Sequence, residues 1–261
     1  MKLSKSILLA AVICCAICVV LSIVAVATDQ IAYSRIDPYN RMALCLDGYH
    51  AVANWAFLLY DLLHLFVIAI FALVLSETVS WEALLGGGVS MVATLSDMAS
   101  VSVNVVFLTP GLQAMALGNE PGLSAPEAGY DVITSTLDFA QASFGLVGTL
   151  FLGTAAIKAP GISKFVGWFL LASLPIGILQ FAEVGLRAPW TLIIDTWVTP
   201  VCEIIEQVLI GLVLLSMVRR PARQGRTKAR ERSSFRARKR HTKSEACCVA
   251  KRSPRRISSK R

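Results

Sequence analysis

Charge is scarce in this chain. Only 16% of its 261 residues are Asp, Glu, Lys or Arg, against about 25% in soluble globular domains. A soluble globule is therefore not expected. A disordered chain is excluded by the 55% of residues that are hydrophobic. Seven cysteines are too few for a disulfide scaffold of this length. Only three histidines occur, and His241 lies in a basic tail, so no zinc centre is expected. The patterns H-E-x-x-H, G-x-S-x-G and G-x-x-x-x-G-K-[ST] are missing, as is any N-x-[ST] glycosylation acceptor. No catalytic signature is complete, so the sequence calls for no cofactor, and an intramembrane enzyme ranks third, behind solute or ion handling and a membrane scaffold.

What the chain has is apolar length, with a mean hydropathy of +0.63. A helix needs about 20 apolar residues to cross the hydrocarbon core. Six stretches meet that length: Ile7 to Ala27, Val52 to Leu75, Ala83 to Leu108, Val132 to Ile157, Ile162 to Val184, and Leu192 to Val218. None alternates as a barrel strand does. In lipid every backbone group must be satisfied within its own segment, which leaves helices. The expected fold is an all-α, polytopic bundle of six transmembrane helices over residues 1–218, followed by a disordered basic tail over 219–261. The first stretch ends Ala25-Val26-Ala27, like a signal-peptidase site. It is longer than a signal peptide's apolar region, so a retained helix is favoured.

The formal net charge of +8 hides two opposed systems. Residues 1–218 hold 7 Lys and Arg against 15 Asp and Glu, a net of −8. Residues 219–261 hold 18 against 2, a net of +16. With both termini cytoplasmic, the inner side carries Lys2, Lys5, Lys158, Lys164 and the tail, and the outer side only Arg35, Arg41 and Arg187. The linker from Thr109 to Asp131 has no Lys or Arg. The expected location is a plasma (inner) membrane.

The tail is too polar to bury a core. Its Arg219, Arg220, Arg236, Arg238, Lys239 and Arg240 are candidates for anionic lipid headgroups, each basic residue adding about 1 kcal/mol near such a surface. Nucleic acid is a lesser candidate, because the tail is tethered to a membrane. Ser233 and Ser258 follow basic residues as kinase sites do, and Cys247-Cys248 could be acylated.

Ionisable groups inside apolar spans are costly and by default mark function. Asp61 and His64 fall in the second span, Asp97 and Asn104 in the third, Asp138 in the fourth, and Glu203 and Glu206 in the sixth. Spacing places them on single faces. His50, Asn54, Asp61 and His64 form one helical stripe, and Ser90, Asp97 and Asn104 repeat every seven residues. Asp61, His64, Asp97, Glu203 and Glu206 fall near the midplane; Asn54, Asn104, Asp138, Gln141, Gln180, Glu183 and Asp195 fall in the outer half. The inner halves are almost wholly apolar. This pattern predicts an outward-facing polar cavity that takes a proton, a cation or a small polar solute, with Asp61, His64, Asp97, Asn104, Asp138, Glu203 and Glu206 as binding groups. Two structural readings compete: carboxyls that are protonated and bonded across helices, and a non-catalytic scaffold whose basic tail is the working part.

Smaller signals concern helix ends and packing. Asp37-Pro38 predicts a capped interfacial helix through Tyr39, Met42 and Leu46 that Gly48 breaks. Ser124-Ala-Pro-Glu127 matches a capping box, so the fourth helix is expected to start before its span. Gly86-Gly87-Gly88 suggests a flexible inner entrance. Gly145, Thr149 and Gly153 suggest close helix packing. Pro175 and Pro200 each free a carbonyl, at Leu171 and Thr196, which could serve a cation. Cys15-Ala-Ile-Cys18 has redox spacing but lies mid-span, where cysteine acts as a small apolar residue.

From Tyr130 to Pro221 the pattern resembles a family of uncharacterised bacterial six-helix membrane proteins. The matching pieces are the Gly-rich helix Phe144 to Gly153, then Ile162-Ser-Lys-Phe-Val-Gly-Trp168 opening a helix. A proline-started last helix follows, with Glu203 or Glu206 ahead of Leu209-Ile-Gly-Leu-Val and a basic end. The resemblance implies topology and no activity.

Overall fold

A computed structural model describes residues 3–36, 44, 46–108, 124–161, 163–186 and 197–219. Its helices are α1 (Lys5–Tyr33), α2 (Gly48–Ser76), α3 (Ser80–Ser102), α4 (Ser124–Lys158), α5 (Ser163–Leu186) and α6 (Thr199–Arg219). Each contains a segment long and apolar enough to cross a membrane. Among the described residues the structure is all-α. The chain is an integral, multi-pass membrane protein.

Consecutive helices from α1 to α5 pack side by side. The turn between α2 and α3 spans only residues 77–79, which brings the end of α2 and the start of α3 together. Lys5, Lys158 and Lys164 also lie at that end, here termed the basic end. There the Lys158 ammonium donates to Glu82 Oε1 at 2.7 Å, tying α4 to α3. At the far end His50 Nδ1 and Asp29 Oδ1 lie 2.9 Å apart, linking α1 to α2.

The basic half of the bundle is apolar, as expected from the sequence. Leu8, Ala11 and Cys15 of α1 meet Val67, Phe71 and Leu75 of α2, and Ile210, Val213 and Leu214 of α6 belong to the same core. The opposite faces carry exposed apolar stripes: Trp55, Leu59, Leu62 and Phe66 on α2, and Val201, Ile205, Val208 and Leu212 on α6. Spaced three and four apart, they form one lipid-facing side of each helix. Lipid tails are as apolar as these side chains, so burial alone does not hold the helices together. Close packing and interhelical polar contacts must do so.

Glycine supplies the close packing. Gly145 lies against Ala93, and Gly148 against Ser90 across the α3–α4 interface; Gly153 faces Gly167 across α4–α5. The glycine triplet is corrected by the structure. Gly86 to Gly88 are helical within α3. A Cβ on Gly86 would meet the Leu152 backbone nitrogen at 2.6 Å, and one on Gly87 would strike the Ala72 side chain. These two glycines are contact points between helices, not a flexible entrance.

Gly48 opens α2, and Asp47 caps that helix: its Oδ1 accepts from Tyr49 N at 2.8 Å and His50 N at 3.1 Å. Asp47→Ala should cost about 1 kcal/mol and lower the unfolding midpoint by roughly 2–4 °C. Asp47→Ser should restore most of it in the same thermal scan.

Ser124 begins α4 ahead of the span that starts at Val132, as expected. Pro200 is the second residue of α6, directly after the π-helical Trp197 and Val198. The third span departs from a regular helix, turning π-helical over Val103–Leu108. Asp37-Pro38, Tyr39, Met42, Cys45, the carbonyl of Thr196 and positions 220–261 lie outside the described residues.

Candidate functional site

Asp61 sits midway along α2, on the face opposite the Leu59, Leu62 and Phe66 stripe, and is 2% exposed. Its carboxyl shares a side-chain hydrogen bond with Asp97 of α3. Two carboxylates only accept hydrogen bonds, so this contact requires that one of the pair carry a proton. The other oxygen, Asp61 Oδ2, is buried without a partner. Glu203 of α6 is near enough to act electrostatically on Asp61.

One turn along α2 toward the basic end, His64 stacks on Tyr60 with ring centroids 5.3 Å apart and planes 15° apart. The amide nitrogen of Gln207, fully buried on α6, contacts His64 Nδ1 and lies 3.4 Å from the Tyr60 hydroxyl. With Gln207 Nε2 donating, His64 Nδ1 accepts, which places the ring's proton on Nε2. Gln207 Oε1 is left buried without a partner. Glu203 and Glu206 both act electrostatically on Tyr60, and Glu206 also on Cys15 of α1. Cys18 of α1 approaches the Tyr60 carbonyl at 3.8 Å.

Toward the far end, the Ser100 hydroxyl on α3 donates to Asp138 Oδ1 of α4 at 2.8 Å. Ser100 lies one turn from Asp97 on the same helix. Asn54 is buried on α2, and Asn104 falls in the π-helical segment. Asn54 lies seven residues from Asp61 and Asn104 seven from Asp97, roughly 10 Å along the axis. The structure therefore gathers Asp61, His64, Asp97, Glu203 and Glu206 around the bundle centre. Asp138 stands a turn away through Ser100, and Asn104 lies about two turns further toward the far end than Asp97. Gln180 donates to Thr199 at 2.9 Å, joining α5 to α6. Asp195 and the side chain of Glu183 lie outside the described residues, as do the tail residues Arg220, Arg236, Arg238, Lys239 and Arg240. Arg219 ends α6.

Tyr60 and the Gln207–His64 contact are not among the expectations from sequence. One signal for Tyr60 exists there, since it precedes His64 by four residues and so shares its face. The meeting of α2 with α6 depends on helix rotation, which periodicity leaves open.

Basic side chains are missing from the sequence of this region. No Lys or Arg occurs from position 42 to 157, nor from 188 to 218. The helices' Lys and Arg residues (Lys5, Lys158, Lys164 and Arg219) all lie in their end turns. Buried carboxyls are normally paired with a cation or a proton. Among the described residues no group of three or more His, Cys, Asp and Glu is arranged to hold a metal ion.

Fold and composition together define the class: an all-α, multi-pass membrane protein. Compared with protein-family models, with curated proteins and with solved structures, the chain matches none.

Proposed function

We propose that this protein takes up a proton or small cation at the centre of its helix bundle. One observation carries the reading: the Asp61–Asp97 carboxyl pair is shared between two helices, with Asp61 buried and no Lys or Arg at its depth. Such a pair needs positive charge from outside the protein's own basic residues, and a proton or cation supplies it. Glu203 and Glu206 add negative potential, and Asp138 with Ser100 supports access from the far end. The positive-inside bias favours the basic end as cytoplasmic, which would set the 18 Lys and Arg of 219–261 against an anionic leaflet.

Infrared difference spectroscopy on the full chain in lipid tests this reading. Changing pH, Na⁺ or K⁺ should alter a carboxyl C=O band that disappears in Asp61→Asn. In liposomes, ion movement beyond the empty-vesicle leak should fall by about a hundredfold in the same variant, the scale of removing a proton-transfer group. A carboxyl band that ignores pH and both cations would overturn the proposal.

A further inference from the structure

The polar groups form a line along the bundle axis. Ser100 lies 20 residues beyond the start of α3, and Asp138 lies 20 residues before the end of α4. At 1.5 Å per residue both are roughly 30 Å from the basic end. Asp97 and Asp61 lie 17 and 15 residues from the same end of α3 and α2, or roughly 22–26 Å. His64 and Gln207 are each 12 residues from it, roughly 18 Å. Below them come Val67, Phe71, Leu75, Ile210, Val213 and Leu214. The line descends in steps of about a turn and stops at an apolar plug.

We infer that the ion is a proton, which reaches the Asp61–Asp97 pair past Asp138 and Ser100 and ends on His64, whose charge Gln207 accommodates by turning its amide. This deepens the function proposed above and rests on it. Two observations favour a proton over a larger ion. An alkali or divalent cation needs several oxygens around it at once, and among the described residues no three acidic, His or Cys groups are set as a ligand cage. Asp61, Tyr60 and Gln207 are 2%, 4% and 0% exposed, while His64, Asp97, Glu203 and Glu206 are half-buried; a proton needs one lone pair and no cavity.

The orphaned amide oxygen gives the second part. Gln207 now donates to a neutral His64 while its Oε1 has no partner. His64 lies three residues from Asp61 on the same face of α2, and its Nδ1 lone pair is held by the Gln207 amide. Turning that amide by half a turn frees Nδ1 to take the Asp61 proton, leaving Asp61 a carboxylate and His64 an imidazolium. The same turn brings Oε1 to face Nδ1–H, from which it accepts, gaining the partner it lacked. The titratable groups around this exchange are Tyr60 and Asp61 on α2, Asp97 on α3, Glu203 and Glu206 on α6, and Cys15 and Cys18 on α1. Apart from His64 none of them carries positive charge.

The experiment uses the full chain in lipid with His50→Gln and His241→Gln, which leaves His64 as its single histidine. Solid-state NMR with ¹⁵N-labelled imidazole and glutamine should show His64 Nδ1 gaining a proton as pH falls. The Gln207 amide signals should shift in step, and Asp138→Asn should slow the exchange by about a hundredfold. Asp61→Glu should keep the response and Asp61→Asn should lose it, with circular dichroism confirming that both variants remain helical. If the Asp61–Asp97 infrared band follows pH while His64 stays neutral throughout, the relay is wrong and the proposed function stands. A band that follows Na⁺ or K⁺ but not pH would likewise overturn the relay and leave the proposed function in place. A band that follows nothing overturns both.

Discussion

Gly167→Ala should leave little correctly packed protein. Ordinarily this exchange stabilises a helix by about 1 kcal/mol. Here a Cβ would lie 2.6 Å from both the Gly153 carbonyl oxygen and the Ile157 backbone nitrogen of α4. Neither is a side chain that can swing aside, so α4 and α5 would have to separate. Overpacking costs typically 1–3 kcal/mol, and a backbone clash belongs at or above the top of that range. The penalty therefore exceeds the propensity gain. No hydrophobic drive pulls separated helices back together in lipid, so α5 should undock. Size-exclusion chromatography and thermal unfolding in detergent would register a broadened, less stable species. Gly88→Ala is the control, because nothing lies within 4 Å of its Cβ position. It should unfold at the same temperature as the wild type or slightly above. Equal behaviour of the two variants would refute the close α4–α5 approach.

Asp97→Asn should have the opposite character, a gain in stability with a loss of function. An asparagine amide can donate to Asp61 without a borrowed proton, and it removes a carboxyl from a region that holds no Lys or Arg. Relief of an uncompensated functional group commonly yields about 0.5–2 kcal/mol, or roughly 1–8 °C in midpoint for a chain of this size. The gain should be largest at neutral and alkaline pH, and should vanish in acid, where the wild-type pair carries its proton anyway. The infrared carboxyl response should disappear at the same time. A variant that is less stable at every pH would mean that the pair is a structural clasp.

Six helices can be read from the chain because span length is a local property, visible as uninterrupted apolar runs. Their polar faces are visible for the same reason: Asp61 with His64, and Asp97 with Asn104, follow from helical spacing alone. Depth along each span is also readable, which is why Asp61 and Asp97 fall together. Contacts that depend on helix rotation are not. Gln207 could face α1, α2 or lipid on its spacing, and only the packing of Ile210, Val213 and Leu214 turns it toward His64. The glycine triplet is ambiguous in sequence because glycine serves flexibility and close approach equally well, and Leu152 and Ala72 decide between them. The Glu82–Lys158 pair is within reach of sequence reasoning. Both residues flank short turns at one end of the bundle, so the topology alone brings them close.

Asp61 and Asp97 stand near the middle of their spans, which has an electrical consequence. A full crossing of the membrane potential changes a unit charge's energy by about 2.3 kcal/mol per 100 mV. A proton halfway across has travelled through part of that field, whichever face supplied it. Its occupancy of the pair would then shift by roughly 1 kcal/mol per 100 mV, close to a fivefold change in the protonated fraction. A group placed for burial alone would gain nothing from this dependence. A group that couples proton uptake to an energised membrane would be set by it.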